Sequence, residues 1–373
     1  MDSELEVIFL KNVPLKLSVP YIVGYMSVDG SREYHPDLSQ QKFLNSIPQS
    51  KLHLDLNHNV HNAVKRTTDE NGEKIDLLLK FILHHKDRMI FPKNDLTIIT
   101  YRRTLISIMC SAFKRAQPIR VTACLYNNCI YLCSMETPQD IAQRKSRSKR
   151  EQMCCAWGYK FEQYMLSDLP NGFPNTQRPV IENEEFSIIY FANIGNHKIL
   201  YGAQIDGLLA TSGAVPEPPK TKDFETNLNY LREHNYVELK TNIEIIHRKL
   251  DDKLRRDKML RCWCQCYLAG LKGLLIGFRN DEGIVQRVQW FQTEDIPTYC
   301  KNKWHPQIAI NYLDYFLTHV KDSFKWYIEE NFPPNYSGPV TLQFDVEYNK
   351  INTTKDIDPS YVILPQWYLN AME

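Results

Sequence analysis

From residue 75 to the end of the chain, stretches with the 3.6-residue apolar period of a helix keep interrupting stretches that alternate like strands. No other feature narrows the possible folds so far, because strands separated by helices lie side by side in a sheet with the helices stacked on its faces. Apolar spacing predicts a helix over 75–85, and a strand over 96–101 runs straight into a second helix over 103–115. The segment 121–134 alternates like a hairpin with Asn127 and Asn128 at its turn. A helix from 138 to about 164 follows, basic at its start, then strands over 186–192 and 199–205. A proline-bearing surface loop over 213–221 leads to a strand over 236–240 and a long helix over 249–269. Strands at 273–278 and 286–291, a helix over 306–329 and closing strands at 340–348 and 361–364 complete the pattern. Residues 1–60 carry only short strands punctuated by Pro14, Pro20, Pro36 and Pro48. The expectation is a mixed α/β fold, central β-sheets with packed helices, in one domain spanning 1–373, since no internal repeat or low-complexity linker divides it.

Three short segments set acidic or amide side chains into this framework at strand or strand-edge positions: Gly158 to Glu162, Gly202 to Gly207 and Val237 to Thr241. Side chains two apart on a strand point the same way. Gln204 and Asp206 therefore share one face, as do Glu238 and Lys240, while Ile205 and Leu239 face the buried side. An acid on one strand and Glu-apolar-Lys on the next is what metal-dependent phosphodiester hydrolysis needs. Carboxylate oxygens are hard ligands for Mg²⁺ or Mn²⁺, the ion acidifies its water and neutralises charge on phosphate oxygens, and a nearby lysine steadies that charge. A solvated strand face also produces such a triplet; three segments in order, followed by Trp263-Cys264-Gln265 on a helix, are far more specific.

Other candidates are weaker. With Lys+Arg 45 against Asp+Glu 44 the formal charge is +1, so nucleic-acid binding requires a local basic groove rather than a global field. Arg144 to Arg150 holds five basic residues in seven, which suits RNA phosphates, a nuclear localisation signal or simply a solvated helix start. Arg255, Arg256, Lys258 and Arg261, on the helix leading to Gln265, are the better candidates for an RNA channel. His53, His58 and His61 near Asp55 resemble a loose metal cluster produced by chance. The ten cysteines form no CxxC pair, and Cys262, Cys264 and Cys266 read as buried small hydrophobes rather than a zinc site. Acids near the N-terminus and free thiols favour an intracellular protein, and the apolar run near Leu268 to Phe278, broken by Lys272, does not span a membrane. No phosphate-cradling glycine loop or GxSxG elbow is present.

The sequence GYKFE at 158–162, Ala203 to Asp206, VELKT at 237–241 and WCQ at 263–265 resembles the successive motifs of the DXO decapping nucleases. METPQDIAQR, LLIGFRNDEG and the C-terminal ILPQWYLNAM resemble the animal members in particular. The likeness runs over 95–372 and is loose over 1–90. It implies a PD-(D/E)XK nuclease-like core enlarged into one domain, in the nucleus and/or cytoplasm. It also implies hydrolysis of RNA 5′ ends with one or two Mg²⁺ or Mn²⁺ ions. Incomplete, unmethylated caps would leave as an intact dinucleotide, 5′ pyrophosphate and NAD caps would be removed in the same pocket, and 5′–3′ exoribonuclease digestion would follow. A monomer is expected, and the animal likeness argues against docking on a nuclear 5′–3′ exoribonuclease, which some fungal relatives do.

Carried over by resemblance, Glu162, Asp206, Glu238 and the main-chain carbonyl of Leu239 would hold the metal. Lys240 and Gln265 would contact the scissile phosphate or attacking water, and Arg102 would bind substrate phosphate, with Arg255 and Arg256 as further substrate contacts. Two positions depart from the family. Arg103 stands where the family has glycine, and Gln204 stands where it has glutamate. Glutamine is nearly isosteric but neutral and cannot act as a base, so Gln204 is an impaired ligand or a group just behind the ligands. The leading expectation is an RNA 5′-end quality-control hydrolase. The alternatives are a catalytically impaired relative that binds RNA 5′ ends or a protein partner, and a DNA endonuclease on the same core, which alone would cut a circular substrate.

Overall fold

The computed structural model describes residues 14–66, 74–89, 91, 95–211, 215–348 and 350–373. In chain order its strands and helices are β1 (Tyr21–Val28), β2 (Tyr34–His35), β3 (Phe43–Leu44), β4 (Leu54–Asp55), α1 (Asp76–His84), β5 (Thr97–Tyr101), α2 (Arg102–Ser111), β6 (Ile119–Tyr126), β7 (Cys129–Met135), α3 (Pro138–Lys145), α4 (Lys149–Met165), β8 (Glu185–Ile194), β9 (His197–Gln204) and β10 (Gly207–Leu209). They continue with α5 (Phe224–Arg232), β11 (Tyr236–Ile243), α6 (Arg248–Lys253), α7 (Met259–Leu268), β12 (Gly273–Arg279), β13 (Ile284–Gln292), α8 (Ile296–Tyr299), α9 (Pro306–Asn331), β14 (Val340–Glu347), β15 (Lys350–Thr354) and α10 (Gln366–Met372). One sheet runs β15-β14-β6-β7-β5-β9-β8-β1-β2 and the other β3-β10-β11-β12-β13-β4. Both are mixed: β5 is parallel to β7 and β9, and β11 is parallel to β12, amid antiparallel pairs.

Period-two burial fixes what lies on each face. In the nine-stranded sheet Ile98, Ile130 and Leu132 join the same core as α2, α7 and α9, while Ile99 and Tyr131 face a second cluster with α1 and α10. In the six-stranded sheet Leu274 and Ile276 meet the first core, and Val237, Leu239 and Leu275 meet Trp157, Phe161 and Met165 of α4. The helices α2, α7 and α9 thus lie between the sheets, and α4 closes the outer face of the smaller one. The chain passes from one sheet to the other at Ile205-Asp206, between β9 and β10.

Most of the pattern-based expectations hold. The hairpin β6–β7 turns at Asn127 and Asn128, whose φ values of 46° and 57° are the left-handed pair of a type I′ turn. Several expectations need correction. The helix expected over 138–164 is two, because Ser148 caps a new start through a reciprocal capping box with Glu151. Glu162 consequently sits on a helix, not a strand edge: Trp157, Phe161 and Met165 recur every four residues and seat α4 on the sheet. The helix expected over 249–269 holds a π-helical turn at Leu254–Lys258 between α6 and α7. The closing strand expected at 361–364 is absent. Pro359 and the Asp358 side chain, which accepts from Ser360 N, start a 3₁₀ turn at Pro359–Tyr361 instead. Near the N-terminus, β1 is a full eight-residue strand paired to β8. It is buried on both faces at Tyr25, Met26 and Val28, which erases the alternation that would have announced it. Part of the loop expected at 213–221 lies outside the described residues.

The seat of α4 is tight. A Cβ at Gly277 of β12 would stand 2.4 Å from Phe161 Cε2, so the absent side chain leaves the space that the ring fills. Gly277→Ala is expected to lower the unfolding free energy by about 1–3 kcal/mol through overpacking, measured by urea denaturation. Combined with Phe161→Leu it should cost less than the sum of the two single changes, because the smaller side chain vacates the clash. Strict additivity would show that the two positions do not share this contact.

Candidate active site

The site forms where the two sheets meet. Strand β11 carries Glu238 into the space between the sheets, with its side chain only 2 % exposed. Three donors from three elements converge on that carboxylate. Arg102, the first residue of α2, donates from Nη2 to Oε2 at 3.2 Å; Gln265 of α7 donates from Nε2 to Oε1 at 2.9 Å. Lys240, two residues along the same strand face, donates from Nζ to Oε1 at 2.5 Å. Asp206, in the crossover between the sheets, accepts from Leu239 N through Oδ2 at 2.7 Å. That hydrogen bond locks the crossover to β11.

The charges interact strongly because little water reaches them. Burial, then the neighbouring Asp206 charge, pushes Glu162 well above the usual carboxylate range. Burial and the Glu238 charge push Asp206 up to about 6, against the pull of Lys240. Burial alone would raise Glu238 too, but Lys240 and Arg102 outweigh it and hold it below its ordinary value. Burial works against the Lys240 ammonium, yet the Glu238, Asp206 and Glu162 charges raise it.

Among the described residues no three acidic, histidine or cysteine side chains converge closely enough to cage a metal. Lys240 Nζ lies 2.5 Å from Glu238 Oε1, 3.0 Å from the Leu239 carbonyl and 3.8 Å from Asp206 Oδ2. These are oxygens of the ligand set expected from sequence, and as hard donors they fit Mg²⁺ or Mn²⁺.

Arg102 lines the basic cleft and also braces the scaffold. Its guanidinium, 7 % exposed, donates to the Gln204 carbonyl at 2.7 Å and the Gln265 carbonyl at 3.0 Å as well as to Glu238. It thus ties β9, α7 and β11 together. The Gln204 side chain is exposed and lies on the divide between two clefts. One cleft is lined by Glu162, Asp206, Tyr159, Lys42 and Arg178. The other is lined by Arg32, Arg66, Lys74, Arg103 and Arg261 with Gln265. This second cleft is the local basic groove that a chain of balanced charge needs.

Arg255 and Arg256 do not reach either cleft. Arg255 pairs with Asp251 at 2.8 Å and lies over the Tyr299 ring, and Arg256 pairs with Asp257 at 2.7 Å. Sequence reasoning missed Arg32, Arg66 and Glu185. Glu185 lines both clefts beside Gln204 and pairs with Arg32 at 2.8 Å and Arg66 at 3.7 Å. No local pattern marks residues that meet only through the β1–β8 pairing and the bridge of Val64 to Ile181. The basic run at 144–150 is a solvated stretch, with Arg144 on Glu136 and Arg150 on Asp281.

Two outcomes follow from these charges. Asp206 holds its proton more tightly when folded, so its contribution to stability is lost as pH rises from about 4 to about 6. Asp206→Asn should therefore stabilise the metal-free protein more at pH 7 than at pH 4, by up to about 3 kcal/mol, read from denaturant midpoints at the two pH values. An equal effect at both would contradict the raised carboxyl. Arg102→Ala strands a buried carboxylate and should cost about 3–5 kcal/mol. Arg102→Lys should recover only part of this in thermal unfolding, because one ammonium cannot span the carboxylate and two carbonyls.

Comparison with known proteins shows the family. A family model described as RAI1 like PD-(D/E)XK nuclease matches residues 18–369. The Drosophila melanogaster decapping and exoribonuclease protein Rai1 is 28% identical over 372 residues, covering 97% of this chain and 94% of that protein. The crystal structure of Candida albicans Rai1 in complex with pU5-Mn²⁺ superposes with a TM-score of 0.75 at 18% identity, covering 96% of this chain and 95% of that one. Scheffersomyces stipitis Rai1, solved with (3′-NADP)⁺ and calcium ion, gives a TM-score of 0.70 at 18% identity, covering 93% and 91%. With its motifs on the expected core and a family match over nearly its whole length, the chain belongs to the RAI1-like PD-(D/E)XK nucleases.

Proposed function

We infer that this chain is a metal-dependent RNA 5′-end hydrolase that removes incomplete caps, 5′ pyrophosphate and NAD caps and then degrades the RNA from its 5′ end. The observation that carries the reading is the buried Glu238 carboxylate, clamped by Arg102, Gln265 and Lys240, with Arg102 and Gln265 also lining the basic cleft and Gln204 on the divide between that cleft and the acidic one. A 5′ phosphate lying across that divide would have its chain in the cleft of Arg32, Arg66, Lys74, Arg103 and Arg261, and its cap-side group against Glu162 and Asp206. That one fungal relative was solved with pU5-Mn²⁺ and another with (3′-NADP)⁺ and calcium ion supports a divalent-metal enzyme whose substrates carry 5′ phosphate and dinucleotide groups.

Glu162, Asp206, Glu238 and the Leu239 carbonyl would hold Mg²⁺ or Mn²⁺, which when bound acidifies water and neutralises phosphate charge. Lys240, released from the carboxylates, would turn its ammonium onto the scissile phosphate. Gln265, fixed by its bond to Glu238, would orient the attacking water or a phosphate oxygen. Arg102 keeps Glu238 ionised and aligned. Cap, triphosphate and NAD ends share the phosphate-bearing portion that these residues contact, so one pocket serves all three.

Gln204 favours a second reading, an impaired relative that binds RNA 5′ ends without turnover, because a neutral amide stands beside Asp206 where the family has glutamate. The deciding experiment uses RNA labelled in an unmethylated cap, with Mg²⁺ and then Mn²⁺, and compares this protein with its Gln204→Glu and Asp206→Asn variants. The expected result is release of an intact cap dinucleotide by the parent, faster or less Mn²⁺-dependent in Gln204→Glu, and lost by at least a hundredfold in Asp206→Asn (about 2.7 kcal/mol of barrier). Release only by Gln204→Glu would mean the chemistry is switched off in this chain. Silence from both with RNA binding retained would establish the reader.

A further inference from the structure

One charged residue in the basic cleft has the wrong sign for it. Glu185, the first residue of β8, lines that cleft as well as the acidic one, and its side chain is 9 % exposed. A carboxylate on a surface that takes RNA phosphates repels them, so some other interaction must account for it. Its Oε2 accepts from Arg32 Nη1 at 2.8 Å and stands 3.7 Å from Arg66 Nη1. Both arginines line the basic cleft and are partly exposed to it. Two guanidinium groups held this close repel each other, and the carboxylate they share cancels that repulsion.

The backbone is built to the same end. Gly30, Ser31 and Arg32 close the β1–β2 hairpin, with Asp29 N donating to Glu33 O at 3.2 Å and Arg32 N to Asp29 O at 3.0 Å. The last residue of such a three-residue loop lies in the left-handed region and is ordinarily glycine. Here it is an arginine, at φ 64°, a conformation that strains any residue with a Cβ. Its side chain holds it there, since Nη1 also donates to Asn183 O at 2.9 Å, and Asn183 Nδ2 donates back to Gly30 O at 2.8 Å. A separate segment delivers Arg66: Val64 bridges Ile181 in parallel, and Arg66 N donates to Glu182 Oε2 at 3.1 Å. Residues 181–185 thus dock two distant segments so that two arginines meet at one carboxylate.

We propose that Glu185 is a positioning residue, which aims Arg32 and Arg66 as a paired seat for one phosphate of the RNA. The seat rests on the RNA-binding reading given above and adds to it the residue that orients the contact. Ser187 lies opposite Gln204 in the β8–β9 ladder, and Glu185, two residues from Ser187, points to the same face. The phosphate taken is therefore one near the hydrolysed linkage. Donors fixed in advance lose less freedom when the ligand arrives, and in this way a negative residue strengthens the binding of an anion.

The sign of one effect decides. If Glu185 merely dilutes the positive charge of the cleft, Glu185→Gln tightens RNA binding; if it aims the arginines, the same change weakens binding. The measurement is fluorescence anisotropy of a labelled, 5′-phosphorylated oligouridine titrated with the full chain, without added metal so that no turnover intrudes, over a series of salt concentrations. Glu185→Gln is expected to raise Kd about fivefold and to lower the slope of log K against log salt by about 0.7, the share of one single-strand phosphate contact. Damage to the fold alone would not lower that slope. Arg32→Gly places glycine where the turn favours it, so the hairpin forms without the guanidinium, and it too should weaken binding about fivefold with a shallower slope. Should Glu185→Gln fail to fold, Arg32→Gly decides alone. Equal or tighter binding by Glu185→Gln, or parental binding by Arg32→Gly, overturns the proposal. Cap release assayed on the same preparations separates it from the functional reading. Weakened binding by the variants of a parent that releases no cap dinucleotide sinks the hydrolase and leaves the seat standing; normal cap release with unchanged binding in both variants sinks the seat alone. A parent that binds no RNA at any salt concentration overturns both.

Discussion

The structure depends on one buried ion pair. Arg102 stands at the junction of β5 and α2, on the nine-stranded sheet, and Glu238 stands in the third strand of the six-stranded sheet. Burying two charges is costly unless each finds further partners. Here each does: the guanidinium also satisfies two carbonyls, and the carboxylate also receives Lys240 and Gln265. Remove any one element and the others lose a bond they cannot replace from solvent. The clamp therefore fixes the distance between the sheets and, with it, the width of both clefts.

Around that clamp the negative charges are held in an uncomfortable arrangement. Asp206 and Glu162 are buried near a third carboxylate, and one ammonium serves all three. Such a group of acids is stable only with positive charge among them. Lys240 supplies that positive charge.

What was legible in the sequence were features carried by neighbours along the chain. Glu238 and Lys240 share a face because they are two apart on a strand, and the Asn127-Asn128 turn shows itself because only a few residues accept its backbone. Glu162 was recognised by its motif but given the wrong secondary structure. The signal that corrects it is the Ser148–Glu151 capping box, followed by apolar residues at every fourth position. Arg32, Arg66 and Glu185 were invisible for a different reason. Arg32 reaches Glu185 through pairing of β1 with β8, across 153 positions, and Arg66 through the bridge of Val64 to Ile181, and nothing local encodes either encounter. Arg102 was found by its motif, but a motif does not show that the same guanidinium also braces the scaffold.

The π-helical turn at Leu254–Lys258 has one further consequence. A π turn holds one residue more than an α turn, and one residue is worth about 100° of rotation. The helix is therefore spliced from two pieces whose phases differ. Arg255 and Arg256 look toward Tyr299 and Asp257, whereas Arg261 and Gln265 look into the site. Removing a single residue from this turn would leave the helix intact as a helix while turning Gln265 off Glu238. The phase at which this helix meets the active site is thus set upstream of Arg261 and Gln265, the residues it sends there.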